Sequence, residues 1–290
     1  MNEGRPFAGF NSEFERSAYI IAGIPFDKTS SFRTGSWKGP DEIRDASYCF
    51  EPYLMEQGVL LDDIDLCDIG NISNLDDFEQ FSEDIEKLGS DIVKEEKFPI
   101  FLGGEHSISA PIVSSLKNKH PDLNVVIMDA HLDFRDSYEG LEHSHASVTR
   151  RITESVGLEN VLVLGIRSMA SSTRNIEKPH FLTSKRTEEE IQEKGDISKI
   201  IFDNIQGPTY LSVDMDVVDP AFAPGVGNPE PFGLFPRTLK ELLSILAPSL
   251  VGMDIVEVNP KYDHGGITSN LAARLIYELI GEREKKKEIR

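Results

Sequence analysis

Cysteine is nearly missing from this chain: Cys49 and Cys67 are the only two in 290 residues. Two thiols cannot build a disulfide framework or a thiolate zinc site, so a reducing compartment, the cytoplasm by default, is the expected setting. Also missing is any apolar run approaching the roughly 18 residues that a membrane span needs. The N-terminal MNEGRPFAGFNSEFER has no basic-then-apolar signal layout, which predicts a soluble, unexported protein. Positive charge is scarce as well. Thirty basic residues against fifty acidic ones leave a formal net charge of −20, which repels phosphate backbones and anionic lipid and favours cationic ligands. No nucleic acid or membrane partner is expected, although most of the acidic excess serves solubility alone. The nucleotide-binding patterns GxGxxG and GxxxxGKS/T occur nowhere in the chain.

What is present suffices for one large core. At 39% hydrophobic residues, the chain reads as a single α/β domain over residues 1–290. Short β-like runs at 19–24, 64–69, 98–102, 125–128, 161–166, 210–213 and 251–256 alternate with helix-like segments near 40–56, 75–97, 109–119, 146–155, 187–204, 237–247 and 267–282. That alternation predicts a mostly parallel sheet with helices on both faces, a three-layer α-β-α arrangement. The charged C-terminal GEREKKKEIR reads as a solvated helix end with no function of its own.

In open parallel sheets, ligands bind at the carboxyl ends of the strands. Three runs end in metal-type residues. Val125 to Met128 break at once into Asp129, Ala130, His131, Leu132 and Asp133. In extended backbone alternate side chains share a side, so one imidazole and two carboxylates should converge there. The run at 98–102 is followed by Gly103 and Gly104, which permit close backbone approach, then by Glu105 and His106, the latter expected beside Asp129. The run at 210–213 ends in Asp214 and Asp216. Buried acidic pairs are costly unless something positive neutralises them. Arg167, Arg174 and Arg237 are candidates for that task, yet four carboxylates and two histidines exceed what a few arginines satisfy. Six ligand side chains are too many for one catalytic zinc but suit two ions roughly 3.5 to 4 Å apart sharing carboxylates. An oxygen-rich set without thiolate favours manganese.

These residues resemble the signatures of a known family. GGEHS at 103–107, DAHLD at 129–133 and SVDMDVVDPAFAPGVG at 212–227 are similar to three motifs of the ureohydrolases, the arginase and agmatinase family. SFRTGSWKGPDEIRDAS at 31–47 and DIVEVNPKYDHGGIT at 254–268 resemble its N- and C-terminal segments. The resemblance implies a sheet of about eight strands, a homotrimer or homohexamer, and hydrolysis of a guanidino group to urea and an amine. Carried over by position, it implies one Mn2+ held by His106, Asp129, Asp133 and Asp214, and a second held by His131, Asp129, Asp214 and Asp216. Two cations would lower the pKa of a shared water, making it a nucleophile near neutral pH, with Asp133 holding it by a hydrogen bond. Glu257 matches the acid that contacts the guanidinium. His145 matches the shuttle that gives the leaving amine its proton, and His143 is its competitor. Glu105, Trp37 and His264 depart from the usual pattern, where aspartate, a basic residue and a small or amide residue are common; none is a proposed ligand, so they bear on substrate preference.

Agmatine is expected over arginine. The short loop FRDSYEGLEHSH, 134–145, carries Asp136, Glu139 and Glu142 against Arg135, and, bordering the pocket, it would attract a cationic tail and repel a carboxylate. The alternatives are arginase, guanidinobutyrase or formiminoglutamase activity at the same site, or a non-catalytic scaffold. A scaffold would be marked by a missing ligand, and all six are present.

Overall fold

The computed structural model describes residues 5–73, 78–192 and 196–285. Its strands are β1 Tyr19–Ile24, β2 Tyr53–Leu54, β3 Val59–Leu60, β4 Leu66–Asn71, β5 Phe98–Gly103, β6 Asn124–Met128, β7 Val161–Ile166, β8 His180–Thr183, β9 Thr209–Asp214 and β10 Leu250–Val256. The helices are α1 Gly39–Ser47, α2 Phe78–Lys94, α3 Ser109–Lys117, α4 Val148–Val156, α5 Ser184–Gln192, α6 Ile197–Asn204, α7 Pro236–Leu246 and α8 Ile267–Lys285. Eight strands form one sheet in the order β4-β1-β5-β10-β9-β6-β7-β8, every neighbouring pair parallel.

Strands β1, β5, β6, β7 and β9 are buried at every residue, as parallel strands covered on both faces must be. Their side chains alternate between two cores. Ile21, Leu102, Val126, Leu211 and Ile255 pack with Ile43 of α1, Leu242 of α7 and Ile276 of α8. Ile20, Phe101, Val125, Ile127 and Tyr210 pack on the other face with Phe81 of α2, Val113 of α3 and Ile152 of α4. The three-layer α-β-α architecture is therefore as expected, with all eight strands parallel.

Four expectations change. The helix foreseen over 40–56 stops at Ser47, because Glu51 precedes Pro52 and is steered out of the helical region; the chain continues into the β2–β3 hairpin. The segment 187–204 divides into α5 and α6. Strand β8 was not foreseen, being a four-residue edge strand with His180 and Thr183 exposed and no apolar run to mark it. The C-terminal segment is not simply solvated: α8 runs to Lys285, and buried Glu282 accepts hydrogen bonds from Gln57 at 2.9 Å and Ser244 at 3.0 Å. Residues 286–290 of that segment lie outside the described residues.

The strand order decides where the site lies. The four central strands β5, β10, β9 and β6 are contiguous, so the residues that follow them meet at one edge. Close approach there depends on Gly104, where an added Cβ would fall 2.0 Å from the carbonyl oxygen of Phe26. Gly104→Ala is expected to destabilise the protein by about 2 kcal/mol, the usual scale of overpacking against a fixed neighbour. A lowered urea midpoint checks this; an unchanged one would mean that the Phe26 backbone yields freely.

Candidate metal centre

His106 opens a short 3-10 turn three residues after β5, Asp129 immediately follows β6, and Asp214 is the last residue of β9. Ligand atoms of these three lie within 4.8 Å of one another, as do those of Asp129, His131 and Asp216. Asp129 thus belongs to both triads. In the first, His106 Nδ1 is 3.1 Å from Asp129 Oδ2 and 3.2 Å from Asp214 Oδ2. In the second, His131 Nδ1 is 2.8 Å from Asp216 Oδ2. Asp133 stands beside the first triad, its Oδ2 4.0 Å from His106 Nδ1.

Strand β6 ends at Met128, but His131 still bridges Ser168 in parallel fashion and shares a triad with Asp129, two residues back. The alternation expected from the sequence breaks at Asp133, whose φ of 44° lies in the left-handed region. Asp214 and Asp216 are drawn together by a capping contact in which Asp216 N–H donates to Asp214 Oδ1 at 2.8 Å. Glu257 follows β10 with φ 64°. Non-glycine residues held in this region store strain that the surroundings must enforce, and here two of them face one site. At Glu257 the enforcement is visible: its N–H donates to Gly104 O at 2.7 Å, and its Oε1 accepts from the His106 amide at 2.9 Å.

Burial and charge have no arginine answer. Among the described residues the ion pairs of these four aspartates are with His106 and His131 alone. Arg167 instead donates to the backbone carbonyls of Gly165, Asp216, Val217 and Glu230, while Arg174 and Arg237 are exposed. Burial opposes charge on Asp129, but hydrogen bonds to His106 and His131 hold its carboxyl below the usual range. Burial likewise opposes charge on both imidazoles, yet the flanking carboxylates carry them well above their ordinary value. Asp133 is pushed up to about 8 by burial and by the charge of Asp129. Asp214 is raised by burial, then by Asp216 and Asp129. His106 Nδ1 and Asp129 Oδ2 are buried and lack a hydrogen-bond partner, although they lie 3.1 Å apart. With a cation in place of the imidazole proton both atoms would become ligands, and the donor set of carboxylates and imidazoles fits divalent manganese.

Behind His106 lies a support that sequence reasoning missed. Its Nε2 is 3.0 Å from Ser212 Oγ, and Ser212 donates to Asp254 Oδ1 at 2.7 Å; Tyr210 O–H donates to Asp254 Oδ2 at 2.8 Å. With its own proton given to Asp254, Ser212 offers a lone pair to Nε2–H, which leaves Nδ1 free to face the centre. A lone aspartate in the apolar run LVGMDIV was the available signal, since an isolated buried carboxylate demands partners.

A cavity of about 200 Å³ opens over the triads, lined by His131, Asp133, Asp214, Asp216, Glu257 and His145 among others. Its size suits a small molecule. His145 is 8% exposed, and burial lowers its pKa, which keeps it neutral near pH 7. His143 is exposed and does not line the cavity. The loop at 134–145 borders the cavity as expected, but its carboxylates Asp136, Glu139 and Glu142 do not line it. Asp136 pairs with Arg150 at 3.0 Å and Glu142 with Arg151 at 3.7 Å, both on α4, whereas Arg135 and Tyr138 line the cavity. Nearby opposite charges from the next helix captured those carboxylates.

The profile of the arginase family matches residues 17–281. An agmatinase of Bacillus cereus is 36% identical over 285 residues, covering 96% of each chain. A guanidinobutyrase of Pseudomonas aeruginosa is 33% identical over 278 residues, 93% of this chain and 87% of that protein. The crystal structure of the agmatine ureohydrolase of Thermoplasma volcanium superposes with a TM-score of 0.93 at 37% identity, covering 100% of this chain and 97% of that one.

A divalent cation must displace protons from the raised groups, so its apparent affinity should climb between roughly pH 6 and pH 8 as these sites empty. The sign follows from the direction of the shifts: raised pKa values mean bound protons at lower pH, and therefore competition. Titration calorimetry with Mn2+ in two buffers of different ionisation heat should show proton release at pH 6.5. Affinity independent of pH across that window would contradict the electrostatics described.

Proposed function

The chain belongs to the arginase family, and from that premise we propose that it hydrolyses the guanidino C–N bond of agmatine, giving putrescine and urea. Glu257 carries this reading. It lines the same cavity as the two triads, with Oε1 fixed by the His106 amide and the backbone pinned to Gly104. A carboxylate held there receives a guanidinium and sets its carbon over the acidic cluster. The net charge of −20 favours approach of a cation.

Two Mn2+, when bound by His106, Asp129, Asp133 and Asp214 and by His131, Asp129, Asp214 and Asp216, supply Lewis acidity and make water nucleophilic near neutral pH. Asp133, held in its left-handed conformation at the cavity wall, accepts a hydrogen bond from the attacking water. Water oxygen adds to the guanidinium carbon, the C–N bond breaks, and the departing nitrogen takes a proton. His145, neutral at rest, takes up the proton that the attacking water releases and passes it to that nitrogen. Its depressed pKa leaves the ring unprotonated, so that it can accept the proton, and makes the imidazolium a stronger acid when it gives the proton up. Urea and a primary amine leave.

A guanidino acid is the second reading, favoured by one observation. Arg135 lines the cavity while Asp136 and Glu142 are engaged by Arg150 and Arg151, so a carboxylate tail would find a cation there. The agmatine reading is supported by the relatives named agmatinase and agmatine ureohydrolase over nearly the full chain.

Asp129→Ala and Asp214→Ala are each expected to remove urea release almost completely, with loss of bound Mn2+ seen by metal analysis. His145→Ala should lower kcat by roughly 100- to 10,000-fold with metal retained, and His143→Ala far less. The opposite ranking at equal metal content would reassign the shuttle. For substrate, kcat/KM should be highest for agmatine among agmatine, arginine and 4-guanidinobutyrate. A higher value for either carboxylate-bearing compound would overturn the agmatinase reading and leave ureohydrolase chemistry standing.

A further inference from the structure

His145 does not hold its own position. Its backbone N–H donates to Thr29 Oγ1 at 3.1 Å, its ring Nδ1 lies 3.4 Å from the same oxygen, and its Nε2 lies 3.2 Å from Ser31 Oγ. The segment that carries Thr29 and Ser31 is held from below. Thr29 O–H donates to Glu105 Oε1 at 2.6 Å, and Thr29 N–H donates to Glu105 Oε2 at 2.6 Å. Ser107 O–H also donates to Oε1 at 2.6 Å. Glu105 is fully buried, which raises its pKa, while the donors gathered on it, Thr29 N–H and the Thr29 and Ser107 hydroxyls, with Ser30 Oγ 3.5 Å away, favour the ionised form that only accepts.

The direction of the protons has a consequence. A hydroxyl has one hydrogen, and that of Thr29 is committed to Glu105. Toward His145 the Thr29 oxygen can only accept. The ring nitrogen it meets must therefore carry hydrogen, which makes Nδ1 the protonated nitrogen of neutral His145 and leaves the Nε2 lone pair beside Ser31, a cavity-lining residue. The acceptor-only carboxylate thus imposes one polarity along the whole chain of bonds.

We propose that Glu105, acting through Thr29, is a positioning device that fixes the ring orientation and tautomer of His145, so that Nε2 is the nitrogen that exchanges the proton with the substrate. The inference rests on the reading of His145 as the shuttle. Residues 105, 29 and 145 are far apart in the chain, and Glu105 is one residue from His106 without belonging to either triad. Its side chain turns toward the 27–35 segment, which is itself braced where Ser30 O–H and Gly35 N–H donate to Asp27.

The test compares Thr29→Val, Thr29→Ser, Glu105→Gln, His145→Ala and the double variant Thr29→Val/His145→Ala in Mn2+-loaded protein. Metal content, KM and kcat for urea release from agmatine are measured for each. Thr29→Val should lower kcat about 10- to 100-fold, the range of lost supporting contacts, with KM and bound metal unchanged. Thr29→Ser, which keeps the hydroxyl, should restore kcat to within about threefold of the parent. Glu105→Gln should resemble Thr29→Val, because an amide nitrogen cannot accept. The double variant should be no slower than His145→Ala alone, since Thr29 acts only through that ring. The proposal is overturned if Thr29→Val leaves kcat unchanged while His145→Ala is impaired, or if the two losses multiply. If His145→Ala itself retains full kcat, the shuttle reading fails first, and the proposal with it.

Discussion

Three buried aspartates and the half-buried Asp133 around one point, with no lysine or arginine among the described residues to pair with them, set the terms for the rest of the molecule. Two like charges 4 Å apart repel by about 4 kcal/mol at the effective dielectric of a protein, before burial is counted. The fold resists that repulsion by fixing each carboxylate from behind. Asp129 Oδ1 accepts from the His131 amide, Asp216 Oδ1 from the Ala130 amide, and Asp214 Oδ1 from the Asp216 amide. These three carboxylates each spend one oxygen on backbone and keep the other for the centre. That division is what a cation site needs: acceptors that cannot turn away when the cation leaves.

Rigidity behind the site comes from neutral dipoles. Arg167 brings a guanidinium close to Asp216 but gives its hydrogens to backbone carbonyls, tying the 165, 216–217 and 230 segments together without competing for the carboxylates. Asp254 and Ser212 do the same behind His106, converting a buried charge into orientation of a ring. The left-handed Asp133 and Glu257 are held by these surroundings, and both lie where the chain leaves a central strand.

Much of this was legible in the sequence, for identifiable reasons. Apolar runs that end in Asp129, Asp214 or the Gly103–Gly104 pair mark both a buried parallel strand and its functional end, so strands and candidate ligands were found together. The mechanism of convergence was misjudged in part, because Asp133 leaves the extended region and Asp216 sits in a turn; neither dihedral is written in the residue types. Strand β8 was missed because an exposed edge strand needs no apolar pattern. The partners of Asp136 and Glu142 were missed because Arg150 and Arg151 face them only once α4 folds back. Glu105 was noted as a departure from pattern, but its hold on Thr29 spans 76 positions and belongs to tertiary structure alone.

The loop at 134–145 is fastened to the surface of α4 by charge pairs that involve no member of either triad. Exposed pairs of this kind contribute little to stability, so they can be exchanged by ordinary sequence drift at small cost. The residues that bear on the chemistry hang instead from four central strands, where a change of one methylene is felt. The rim of the cavity and the triads at its floor are thus carried by parts of the chain with very different tolerance for mutation. A scaffold divided in this way can vary at its rim while the four-strand centre stays fixed, and a designer who wishes to alter the rim has the exposed positions 136, 137 and 139–143 to write in.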